Sequence, residues 1–165
     1  MILRAVTLAA GLAGGFGAAQ FPAYSQQYMQ RLGGAVDALQ QVVSDFDTSA
    51  KAEGLTRGGA LSQMQGSAFV ERRRADMTRT IDRYDRLRAD LAVLQGQGPF
   101  MRAYHGARFT DPEIAARAWQ AFQPALPLSV TSVIFAGVGF AVSAGGLRAI
   151  LAVSRLRRRR KPMAA

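Results

Sequence analysis

Leu128 to Gly146 reads LSVTSVIFAGVGFAVSAGG, 19 residues without a charge, and Arg148 follows two positions later. At ~1.5 Å per residue an α-helix of this length reaches about 28 Å, close to the hydrocarbon thickness of a bilayer. A helix also satisfies its own backbone hydrogen bonds where there is no water to do so. The stretch is therefore expected to cross a membrane, and the rest of the chain is placed relative to it.

Working outward, charge falls unevenly on the two sides of this run. All 11 acidic residues lie between positions 22 and 126, and most of the basic ones accompany them. The excess that makes the net charge +10 sits at the ends, above all in Arg148, Arg155, Arg157, Arg158, Arg159, Arg160 and Lys161. Basic residues just beyond a span mark its cytoplasmic side, and they attract anionic headgroups. Arg155, Arg157, Arg158, Arg159, Arg160 and Lys161 are thus read as topology and lipid-headgroup residues. A nucleic-acid role is not expected of so short a tail without aromatic or folded support.

At the other end, Met1 to Phe21 (MILRAVTLAAGLAGGFGAAQF) carries one charge, Arg4, before a run of apolar and small residues. A signal peptide would have this basic start and a small-x-small site near Gly17-Ala18-Ala19, with cleavage before Gln20. An uncleaved anchor would let Arg4 snorkel to the cytoplasmic interface. The anchor is the expectation. Gly11 and Gly15 form a GxxxG at which a second helix could approach closely, and Gly137 and Gly139 offer small residues in the other span, so these four glycines are the expected packing positions in the membrane.

Between the ends the pattern is helical. Tyr24, Tyr28, Leu32, Val36, Leu39, Val43 and Phe46 recur at steps of three and four, opposite Gln26, Gln27, Gln30, Arg31, Asp37 and Gln41, which predicts an amphipathic helix of about 25 residues bent at Gly33-Gly34. Glycines at 54, 58, 59 and 66 mark a loop around a short helix near Ala60 to Met64. Ser67 caps a second long helix whose stripe is Val70, Met77, Ile81, Tyr84, Leu87, Leu91 and Leu94. Ion pairs at helical spacing are expected along its far side, Arg72 with Asp76, Asp82 with Arg86, Arg86 with Asp90 and Asp85 with Arg88. Two such stripes bury each other most economically as an antiparallel hairpin.

Pro99 to Arg108 is expected to form a short helix. Thr110-Asp111-Pro112-Glu113 then starts another, bearing Ile114, Ala118, Trp119 and Phe122, with Trp119 either in the core or at the membrane interface. The fold class expected is all-α, with terminal spans at 1–21 and 127–148, a helical extramembrane domain at 22–126 and a basic cytoplasmic tail at 149–165.

The stretches QFPAYSQQYMQRLGGAVDAL, SAFVERRRADMTRTIDRYDRL and ARFTDPEIA, set between an apolar N-terminus and a C-terminal span, resemble a family of small proteobacterial inner-membrane proteins of unknown function. The resemblance covers essentially the whole chain. It implies a two-span protein with a helical middle and supplies no activity or site residue.

Catalytic chemistry needs convergent polar groups, and the sequence offers few. There is no cysteine, and His105 is the only histidine, separated from Asp111 and Glu113 by a proline turn. Asp45 and Asp47 flank Phe46 on different sides of a helix. Gly137-x-Gly139 follows no strand and cannot be a nucleotide loop. Glu71 with Arg72, Arg73 and Arg74 reads as a solvated face. The expectation is a structural or interaction protein of the bacterial inner membrane, not an enzyme, without cofactors, its middle periplasmic and both termini cytoplasmic. Its expected partners are membrane lipids and either a protein or a second copy of itself, and no small-molecule substrate is singled out. Two alternatives are an accessory subunit of a transporter or envelope enzyme and an anionic-lipid-binding module.

Overall fold

A computed structural model describes residues 2–124 and 129–159, and every regular element in them is helical. In order these are α1 (Ile2–Ala19), α2 (Phe21–Ala52), α3 (Arg57–Gln63), α4 (Ala68–Leu94), α5 (Pro99–Tyr104), a 3-10 turn (Gly106–Arg108), α6 (Pro112–Gln120) and α7 (Val130–Arg159). Two helices are long and apolar enough to cross a membrane, one beginning at Ile2 and the other covering Val130–Ser154. The chain divides into two compact units, Met1–Ser25 with Gln123–Ala165, and Gln26–Phe122.

In the first unit α1 and α7 pack antiparallel. Gly11 meets Phe140, Gly14 meets Ser143 and Gly139, Gly15 meets Ala136 and Phe140, and just beyond α1 Phe21 stacks on Phe135 with ring centroids 5.5 Å apart, so the partner number falls overall as the chain advances. The seam is made of small residues. A Cβ added to Gly139 would lie 2.5 Å from both the Gly14 carbonyl oxygen and Ala18 Cβ, and one added to Gly15 would lie 2.8 Å from the Ala136 carbonyl oxygen. Backbones this close admit only glycine at the crossing. Thr7, buried in this unit, donates its hydroxyl proton to the Leu3 carbonyl, which satisfies it within its own helix. α7 does not end where the apolar run ends but continues through Arg148 to Arg159.

In the second unit α2 and α4 form the hairpin that the two stripes predict. Tyr84 shares a cleft with Val43 and Asp47, whereas Asp90, further along α4, accepts from Thr110, and neighbouring Phe109 packs on Tyr28 at 4.5 Å. The later half of α4 therefore faces the start of α2, as an antiparallel pair requires. Tyr28, Leu32, Val36, Val43, Ile81, Tyr84, Leu87 and Leu94 are buried along the two stripes. The helix ends follow capping rules. Ser67 Oγ accepts from Val70 N at 3.3 Å, Asp111 Oδ1 accepts from Glu113 N and Ile114 N, and Gly54 and Gly96 take positive φ where α2 and α4 stop.

Several expectations need correction here. α2 runs for 32 residues from Phe21, longer than the 25 or so expected, with Pro22 in its first turn, and it stays helical through Gly33-Gly34. A helix tolerates glycine at a cost of about 1 kcal/mol, which the buried flanks Leu32 and Val36 offset. The four ion pairs expected along α4 are not formed among the described residues. Asp76 pairs instead with Arg73 and Arg79, while Arg83, Arg86 and Asp90 turn to partners beyond their own helix. Trp119 is not a core residue: it is 68% exposed and stacks on Phe122.

Candidate functional site

A cleft of the second unit is built where α2, α4 and α6 meet. Its volume is about 470 Å³, and Arg31 and Leu39 of α2, Arg83 of α4, and Glu113, Ile114 and Arg117 of α6 line it. Gly34, Ala35 and Ala38 form the remainder of the α2 wall. These three small residues, within little more than one turn of α2, leave the space that larger side chains would fill.

The electrostatics are set by one carboxylate among three guanidiniums. Glu113 accepts from Arg83 through Oε2 at 2.9 Å and from Arg117 through Oε1 at 2.6 Å, so both its oxygens are engaged. Arg83 also reaches Asp111 at 3.1 Å, and Arg86 approaches the same carboxylate at 4.0 Å. Asp111, 3% exposed, thereby caps α6 and ties it to α4 with a single side chain. Arg31 forms no ion pair among the described residues, and its Nε is buried without a hydrogen-bond partner. Of the cleft's cations it is the one without a counter-charge.

Two further polar sites hold the unit together. Asp90, 2% exposed, accepts from the Thr110 hydroxyl at 2.6 Å and from Arg108 at 3.4 Å, fixing the 3-10 turn against α4. Arg57 donates to both oxygens of Asp47, at 2.7 and 2.6 Å, and clamps α3 to α2. These hydrogen bonds hold the Asp47 carboxyl below its ordinary value, against the opposing effect of partial burial. Lys51 lies on the same side of α2 and adds to the effect, and Asp45 does not pair with Arg57 among the described residues. His105 ends α5 with its ring edge-on to Tyr104, away from any cluster able to hold a metal among the described residues.

Of the glycines singled out from the sequence, Gly11, Gly15 and Gly139 lie in the α1 to α7 seam and Gly137 does not. A Cβ at Gly137 would meet nothing within 4 Å, because at two residues from Gly139 it faces another side of the helix. Gly14 takes the place expected of it, with Ser143 and the Gly139 carbonyl against it. Near the other end of the same pair, Leu3, Arg4 and Thr7 of α1 and Arg148, Leu151 and Ala152 of α7 line a cleft of about 300 Å³ that has no acidic wall. Of the basic tail, Arg160 and Lys161 lie outside the described residues, as do the side chains of Arg155, Arg157, Arg158 and Arg159.

The family model described as a protein of unknown function, DUF2937, matches residues 2–160. The chain belongs to this family. The match spans both candidate membrane helices and the whole helical unit between them, and the family's description assigns no activity. No curated protein and no solved structure is significantly similar to the chain. The residues that line the Arg31 cleft therefore stand on their geometry alone. Sequence reading placed Arg31 on the polar face of its helix, Arg83 within an ion-paired helix and Arg117 nowhere in particular. Nothing in spacing links positions so far apart.

Proposed function

We propose that the protein is a membrane-anchored structural or interaction protein of the bacterial inner membrane, with both termini in the cytoplasm and residues 22–126 presented in the periplasm. The orientation rests on the basic residues that follow the second span and the absence of acid at both ends. The interaction reading rests on α5 and α6, where Phe100, Met101, Tyr104 and Trp119 are exposed, Tyr104 by 81%. Large aromatic side chains left on a surface are the usual anchors of a protein contact. A photo-crosslinking residue placed at Tyr104 or Trp119 in membranes should yield one recurrent protein adduct, while the same residue at Gln41 should not. Absence of any protein adduct, or the same adduct from all three positions, would overturn the reading. A reporter active only in the cytoplasm should work when fused after Ala165.

An anionic-lipid-binding role is a second reading, favoured by the cleft that Arg4 and Arg148 share. Basic residues near a membrane surface contribute up to about 1 kcal/mol each, so retention of an anionic over a zwitterionic lipid should fall about fivefold in R4Q and roughly 25-fold in R4Q/R148Q. Native mass spectrometry of the full chain measures it. An unchanged lipid ratio would remove this reading and leave the first intact.

A further inference from the structure

We infer that the cleft between α2, α4 and α6 is a binding site for a small organic anion, whose carboxylate or phosphate head meets Arg31 and whose short apolar body lies on Ala35, Ala38, Leu39 and Ile114. The inference goes beyond the interaction reading and does not depend on it, since it concerns a different set of residues in the second unit.

Counting partners carries the argument. Three guanidiniums from three helices line one cleft, and the single carboxylate in its wall, Glu113, already accepts from Arg83 and Arg117 through its two oxygens. Among the described residues the Arg31 charge is left without a carboxylate, and its Nε proton is shielded from water with no acceptor. A buried donor without an acceptor is unfavourable, and a charged one more so. Arg31 Nε is closed off by the protein itself, so an oxyanion in the cleft meets the other edge of the guanidinium, whose planar fork suits carboxylate and phosphate oxygens.

The remainder of the wall describes the rest of the ligand. Gly34, Ala35 and Ala38 keep the space beside Arg31 open, and Leu39 with Ile114 makes an apolar surface at its edge. Ile114 is 4% exposed and its backbone N–H is held by Asp111, so this edge is fixed in place. A volume of about 470 Å³ admits a ligand of several non-hydrogen atoms and exceeds what a bare ion needs. A cationic point beside an apolar shelf selects an acid with a short hydrocarbon part over a neutral or cationic molecule of the same size.

Titration calorimetry on the full chain in a non-ionic detergent, with butyrate, butyl phosphate, inorganic phosphate and butanol as probes, tests this. Saturable binding of butyrate or butyl phosphate is expected, weakened about tenfold or more in R31Q, less in R31K, and not at all in R72Q. Tighter butyrate binding assigns a carboxylic acid and tighter butyl phosphate a phosphate ester, each through the same arginine, whereas equal binding of inorganic and butyl phosphate would overturn the proposal, because the apolar wall would then contribute nothing. Without ligand, R31Q should melt no lower than the parent, because it removes a donor that has no acceptor. The proposal is overturned if neither acid binds saturably, if butanol binds as well as butyrate, if R31Q binds like the parent, or if R31Q alone lowers the melting temperature by several degrees.

Discussion

The α1 to α7 seam and the α2 to α4 hairpin bring two long helices together by opposite means. At the seam, glycines let backbones touch: a Cβ at Gly139 would fall 2.5 Å from the Gly14 carbonyl oxygen. In the hairpin, large side chains fill the space between the helices, with Tyr28, Leu32 and Leu87 almost fully buried. The difference follows from the solvent each pair requires. α1 and α7 belong to the two helices apolar enough to cross a membrane, and a helix in lipid gains nothing by hiding apolar groups there, which accords with a seam held by close contact. A helix with ion pairs on one face and leucines on the other gains about 25 cal/mol for each Å² of apolar surface removed from water.

The largest effect expected is at the hairpin. Leu87→Asp would bury an unpaired carboxylate at a position with no exposure and should destabilise the second unit by more than about 4 kcal/mol, read as loss of the cooperative thermal transition of the full chain. A melt like that of the parent would mean that the stripes do not pack on each other.

A smaller effect, and a sharper one, separates two glycines of the same span. Gly139→Leu should cost about 1 to 3 kcal/mol of seam stability, because the added atoms meet backbone that cannot yield, while Gly137→Leu should cost nothing measurable. Disulfide trapping between cysteines introduced at positions 11 and 140 would report both. Equal loss in the two variants would show that the seam is not a glycine contact.

The smallest effect lies in the clamp between α2 and α3. The folded Asp47 carboxyl titrates below its unfolded value of about 3.9, so its stabilisation is present above about pH 4 and disappears as pH falls through the lower, folded value. Both partners are partly exposed, which limits the clamp to under about 1 kcal/mol. Melts of the parent and Asp47→Asn should differ at pH 7 and draw together as the pH falls below about 4 and through the lower, folded value; a difference that grows with acid would assign Asp47 another role.

The amino-acid order by itself determined the elements. A charge-free run of bilayer length, stripes at steps of three and four, and caps at Ser67 and Asp111 are local patterns, legible because a helix repeats every 3.6 residues. The tertiary structure decided what those patterns leave open, namely which face of each charged helix meets which neighbour. Asp90 reads as a solvated partner of Arg86 and is instead buried beneath Thr110 and Arg108. Gly137 and Gly139 read alike and only one is in contact. Arg31, Arg83 and Arg117 share one cleft although 86 positions separate the first from the last. Side-chain periodicity runs along a single helix, whereas a cleft is formed by the rotation of three helices about their own axes, which only their mutual packing sets.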